Sequence, residues 1–195
     1  MISPKLLPVL GLLILAAPLA IAFEDGPDTG PNSASQSAAD AVREFANTDG
    51  AFLAAGLLKK TYQKDNLASL LQYPSDNVVV LSLTGSKIRE AFERSVATYP
   101  QPNESFLQIS GFDVTFKKNG TPNNRIVSIA VNGTKLDDSK SYTVAMPSGL
   151  AHGGLGYFKI WENAKTVKTF DNTTMEAVLR GKHASDTSPR WSAAA

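Results

Sequence analysis

A small set of side chains in this sequence has types and spacings that could do chemistry. Ser148 and His152 are four residues apart, the separation at which a hydroxyl and an imidazole meet on one helical face, and such a pair invites a nucleophile–base reading. No G-x-S-x-G elbow surrounds Ser148, so the bland reading, two polar residues in a loop, stands ahead of it. Lys59-Lys60 offers two positive charges to an anion, although a surface lysine pair is more often simply solvated. Tyr73 precedes an apolar run and could stack a flat ligand; a tyrosine at a strand entry is more often half-buried packing. Gly153-Gly154-x-Gly156 lacks the GxGxxG spacing and strand–loop–helix setting of a phosphate loop, and reads as a turn with positive φ. Tyr157, Phe158 and Trp161 follow it and read as core. His183, beside Lys182, reads as solvated.

Composition narrows the chemistry. With no cysteine, the 195 residues contain no disulfide, thiolate nucleophile, zinc finger or iron–sulfur cluster. Two histidines argue against a histidine-rich metal centre, and no cofactor is expected. Nineteen Lys+Arg against 18 Asp+Glu leave a net charge of +1, too little field to wrap nucleic acid or an anionic membrane. At 43% hydrophobic the chain can build a core.

The elements that must position these residues read as follows. Met1–Ala22 has one charge (Lys5), an apolar run broken by Pro8 and Pro18, and a small-x-small ending at Ala20-Ile21-Ala22. That is the pattern of a cleaved secretory signal, which predicts a secreted or periplasmic protein that meets a membrane only if the signal stays on. Residues 23–36 are rich in Gly, Pro, Ser and Asp and read as a flexible linker, 37–191 as one domain, and 192–195 as a frayed tail. Within the domain, Ser37 leads in a helix over 38–45 and 67–71 makes a helical turn. Residues 77–84 read as a strand buried on both faces, with Thr84 capping a helix over 86–99. On that helix Glu90 and Arg94 stand in the favourable i,i+4 order. Period-two alternation marks strands at Phe112–Phe116, Val127–Val131 and Tyr142–Met146, with turns at Asn119-Gly120 and Asn132-Gly133, and residues 173–179 read as a helix. The expectation is an α+β fold, a mixed β-sheet flanked by helices. Asn103, Asn119, Asn132 and Asn172 each open an N-x-Ser/Thr triplet, a glycan acceptor in a eukaryotic secretory pathway.

Five blocks then occur in one order: NVVVLSLTG, SKIREAFERSV, FLQISGFDVTF, RIVSIAVNG and YTVAMPSGLAHGGLGY. This series resembles the C-terminal domain of secreted 5′-nucleotidases and UDP-sugar hydrolases, over about residues 38–191. The resemblance implies a domain that holds the nucleoside part of a substrate, while a separate metallophosphoesterase domain, with no counterpart motif in this sequence, cleaves the phosphate with two metals. It implies a base stacked between two rings. Tyr73, in the segment ending at Asn77, supplies one; the second falls at Gly149, and the acidic residue that would fix the sugar hydroxyls is Leu155. An Asn and an Arg of an upstream phosphate-binding segment fall at Ala54 and Lys59, and lysine keeps the charge but not the bidentate fork. The candidate ligand residues are therefore Lys59, Tyr73, Asn77, Ser148, Gly149, His152, Gly153, Gly154 and Tyr157, with no catalytic residue.

Three functions fit: a non-catalytic exported module that binds a small molecule or a protein in a remodelled nucleotide cleft; the detached specificity subunit of a split nucleotidase, which would take a nucleoside or nucleotide and a metallophosphoesterase partner chain; and a structural envelope component.

Overall fold

The computed structural model of the chain describes residues 26–63, 65–185 and 188–194; the segment read as a signal lies outside them. Among the described residues, nine strands form two sheets. The larger is built from β1 (Gly50–Ala54), β2 (Asn77–Thr84), β3 (Leu107–Ser110), β7 (Ser141–Pro147) and β8 (Lys165–Thr174), in the order β3-β1-β7-β2-β8. It is mixed: β1 runs parallel to β7, and every other pairing is antiparallel. The smaller sheet has β6 (Thr134–Lys135), β5 (Ile126–Val131), β4 (Phe112–Lys117) and β9 (Trp191–Ala194) in that order, with β9 parallel to β4. The fold is α+β.

The larger sheet separates two cores. Because successive strand side chains point to opposite faces, Val78 and Val80 of β2 enter one core and Val79, Leu81 and Leu83 the other. The first core is closed by helix α1 (Ser33–Ala46), a helical turn at 67–70 and the short helix α4 (Met175–Leu179). The small side chains Ala34, Ala38 and Ala41 bring α1 close to the sheet. The second core is aromatic. Phe52, Phe92, Phe112 and Trp191 meet edge-on or tilted at centroid distances of 5.3–5.5 Å, between helix α2 (Gly85–Ser95) and the smaller sheet. Buried Glu93 fastens α2 to that sheet: its carboxylate accepts from the Arg125 and Ile126 amides at 2.9 and 2.8 Å.

Several local readings hold. Thr84 caps α2 by accepting from the Lys87 amide, and Asn132-Gly133, with φ of 48° and 79°, closes the β5–β6 hairpin. Others are corrected. Helix α1 starts at Ser33 under an Asn32 cap, and Ser37 lies inside it with its hydroxyl donating to the Ser33 carbonyl. From Gly26 onward the expected linker is packed: the buried Gln108 amide donates to the Pro27 and Gly30 carbonyls at 2.9 and 2.7 Å. Polar satisfaction rather than apolar burial orders this stretch, which is why its composition hides it. Trp191 is buried and Ser192–Ala194 continue β9, with Ser192 Oγ 2.9 Å from Thr115 Oγ1, so these residues are not a frayed tail. Helix α2 ends at Ser95, leaving Tyr99 beyond it against Phe116. Val127 is exposed because the β4–β5 register shifts between Thr115 and Phe116.

Candidate functional site

The segment before β2 makes a turn in which the Asp76 amide donates to the Tyr73 carbonyl at 3.2 Å. The first amides of α4 hold it from behind: Met175 N donates to Asp76 O at 2.7 Å and Glu176 N to Pro74 O at 3.0 Å. After β7 the chain enters the single-turn helix α3 (Ser148–Ala151) and then the glycine loop. Asp76 joins the two segments. Its Oδ2 accepts from the Gly149 amide at 2.8 Å and its Oδ1 from the Asn77 amide at 3.0 Å. Between them lies an open cleft of about 500 Å³ lined by Leu57, Tyr73, Ser75, Asp76, Gly149, Gly154 and Leu155. Its inner end is close-packed, with a void of about 10 Å³ among Leu53, Leu58, Leu71, Pro147 and Met175, room for about one water.

The loop that carries Leu155 is rigidly set. Gly153 and Gly156 have φ of 89° and 78°, and Leu155 itself lies in the left-handed region at 55°. The Leu155 carbonyl collects three donors: Arg94 Nε at 3.1 Å, Arg94 Nη2 at 2.5 Å and Ser105 Oγ at 2.9 Å. Its side chain covers Gly56, where a Cβ would come within 2.9 Å of Leu155 Cδ2. Arg94 therefore serves the loop and forms no i,i+4 pair with Glu90. Behind the loop Tyr157 is fully buried, its hydroxyl donating to Ser105 O at 2.6 Å and its ring stacked on Trp161 at 5.0 Å. Burial pushes the Tyr157 hydroxyl well above the usual phenol range, while Ser95 and Arg94 pull the other way.

The same order of strand, helix and loop decides the relationship. The family model for the 5′-nucleotidase C-terminal domain matches residues 24–163. The chain belongs to this family. A mouse 5′-nucleotidase is 38% identical over 101 residues, covering 48% of this chain and 17% of that protein. A 5′-nucleotidase-related protein of the tsetse fly Glossina morsitans morsitans is 35% identical over 131 residues, 60% of this chain and 24% of its own length. The chain thus spans about a fifth of the curated relatives it matches. Among solved structures, a 5′-nucleotidase precursor of Thermus thermophilus superposes with a TM-score of 0.69 at 20% identity over 84% of this chain and 35% of its own. The Haemophilus influenzae NAD nucleotidase gives 0.69 at 18% identity over 89% and 37%. At that identity the likeness is one of fold.

Within this 5′-nucleotidase C-terminal domain the expected ligand residues separate. Tyr73, Gly149 and Gly154 line the cleft, and Tyr73 is 58% exposed rather than half-buried packing. Lys59 is exposed and is not among the lining residues. Asn77 turns its amide toward Asp171 O at 3.4 Å, at the β2–β8 edge. Gly153 and Tyr157 shape the loop from behind. Phe158, expected in the core, is 71% exposed. Ser148 Oγ does lie 3.2 Å from His152 Nδ1, but the same nitrogen is 2.8 Å from the Ser148 carbonyl, which can only accept. A proton on Nδ1 serves that carbonyl contact, and in that tautomer the basic lone pair is on Nε2, away from the hydroxyl. Among the described residues no group of three or more His, Asp or Glu converges as a metal site requires.

Leu57, Ser75 and Asp76 were not expected in the site. Leu57 arrives through backbone pairing of 57–59 with 70–72, where Lys59 N donates to Leu70 O and Gln72 N to Leu57 O. Asp76 carries a weak signal, an Asp two residues before a valine run, where its carboxylate can cap the turn. Of the four N-x-Ser/Thr asparagines, Asn103 commits its amide nitrogen to the Arg94 and Ser95 carbonyls at 2.9 Å each. Asn119, Asn132 and Asn172 are exposed.

Proposed function

We propose that this domain is an exported, non-catalytic ligand-holding module, which takes a small ring-bearing molecule in the cleft between Tyr73 and Leu155. The observation that carries the reading is the cleft: an exposed tyrosine ring, two leucines and one carboxylate meet in a space sized for a small molecule. The non-catalytic reading is supported by the Ser148 carbonyl, 2.8 Å from His152 Nδ1, which competes with the Ser148 hydroxyl for that nitrogen. Export rests on residues 1–22, and N-terminal sequencing of the native protein would find Phe23 first.

A second reading has its own support. The relatives are named 5′-nucleotidases and extend well beyond the matched region, so the domain could be the specificity part of a nucleotidase that works with a metallophosphoesterase chain.

Thermal unfolding of the full chain tests both, with a panel of nucleosides, nucleotides, UDP-sugars and simple aromatic compounds. A ligand at about 100 times its Kd adds about 2.7 kcal/mol, which raises the midpoint by roughly 5–10 °C for a chain of this size. Tyr73→Ala should abolish the shift. No shift with any compound sinks the ligand-holding reading. A shift that also needs an added metallophosphoesterase favours the second.

A further inference from the structure

We infer that the cleft selects its ligand by charge, accepting a cationic or neutral aromatic molecule and disfavouring an anion. This rests on the ligand-holding reading and names the class of ligand.

The argument starts from the lining. Of the seven residues, Leu57 and Leu155 are apolar, Tyr73 presents a ring, Ser75 and the two glycines are uncharged, and Asp76 is the one ionised group. Among the described residues no lysine, arginine or histidine lines the cleft. Of the basic residues around it, Arg94 and Lys60 are engaged elsewhere, while Lys59, His152 and Lys159 are exposed and outside the lining. Arg94 spends its guanidinium on the Leu155 carbonyl, behind the loop. Lys60 pairs with Asp28 at 2.8 Å. Lys59, the residue expected to hold a phosphate, is exposed and outside the lining.

Asp76 retains capacity. Each of its oxygens accepts one backbone amide, from Asn77 and from Gly149, and each keeps a second lone pair for a ligand. Those two amides also fix where the carboxylate sits, so it need not be ordered on binding. Three residues away on the same turn, the Tyr73 ring offers a negative π-face. A ring face beside a fixed carboxylate, between apolar walls, is the combination that recognises an ammonium group attached to an apolar body. A phosphate in the same place would face a carboxylate with no counter-charge among the lining residues.

Three probes that share one ring but differ in head group test this on the full chain by calorimetry or NMR titration: benzyltrimethylammonium, benzyl alcohol and benzyl phosphate. The expected order is ammonium, then alcohol, then phosphate, with the first and last about tenfold or more apart. Adenosine should likewise bind more tightly than its 5′-monophosphate. Asp76→Asn should collapse the separation between ammonium and phosphate, and Tyr73→Leu should remove the advantage of ammonium over alcohol while Tyr73→Phe keeps it. If Asp76→Asn does not fold, a salt series on the unaltered protein replaces it: added salt should weaken ammonium binding and leave alcohol binding unchanged. Phosphate binding as tightly as alcohol overturns the charge selection while leaving a ligand-holding cleft. Failure of all three probes overturns the selection, and failure of the wider panel as well overturns the ligand-holding reading with it.

Discussion

The Leu155 wall of the cleft is fastened by side chains, with Arg94 and Ser105 on its carbonyl and the Trp161 indole donating to Leu150 O at 2.9 Å, whereas the Tyr73 wall is held mainly through backbone and its ring is left in solvent. One wall is frame and the other is contact surface. A side chain that fastens a loop is buried and paired, so its loss is felt as stability. A side chain held out by backbone bonds costs little to change and can be spent on recognition.

The sharpest way to break this contrast is at Trp161, which is 5% exposed and stacks on both Tyr157 and Phe52. Trp161→Ala should cost about 3–5 kcal/mol, read by urea unfolding, with ligand binding lost alongside. Arg94→Met keeps much of the packing volume but removes the donors to Leu155 O, and should cost about 2 kcal/mol. A Leu155 wall that tolerates both changes is not frame. Next comes Tyr157 under alkali. Its folded-state pKa is raised, whereas the unfolded chain ionises near 10. The stability linked to its proton is therefore complete below pH 10 and is lost as pH rises above it, by up to about 1.4 kcal/mol per pH unit. Tyr157→Phe should flatten that slope. The smallest effect is expected at Tyr73: Tyr73→Ala should leave the unfolding free energy within about 0.5 kcal/mol of the parent. A larger loss would place Tyr73 in the frame.

The same division explains what could be read from sequence. Val78–Leu83 announced a strand because both faces are apolar, and Asn132-Gly133 announced its hairpin because few residue pairs suit two positive φ values. Strand β8 went unpredicted because it is a sheet edge. KTVKTFDNTT is exposed over most of its length and shows no apolar period. Strand β1 is five residues of GAFLA, too short to tell from a buried helical turn, and β9 is mostly small residues parallel to a distant partner. In the cleft, Gly149 was legible through the last of the ordered blocks and Tyr73 through the segment that leads into the first. Leu57 and Asp76 were not, because nothing in a lone leucine and a lone aspartate nineteen positions apart says that backbone pairing will bring them to one surface. Lys59 shows the converse: a charge in the expected register whose side chain lies outside the lining.

The shared sheet has a consequence for how the molecule opens. Val80 and Leu81 are neighbours on β2 whose side chains enter different cores, so the β2 amides that pair with β7 cannot reach solvent unless both cores part together. β8, at the rim, can fray alone. In deuterium oxide the β2 amides paired with β7 should exchange only with global unfolding, and those on the free rim of β8 orders of magnitude sooner. The β2–β7 pairing would then report the stability of the whole domain, and the rim strand the breathing of its edge.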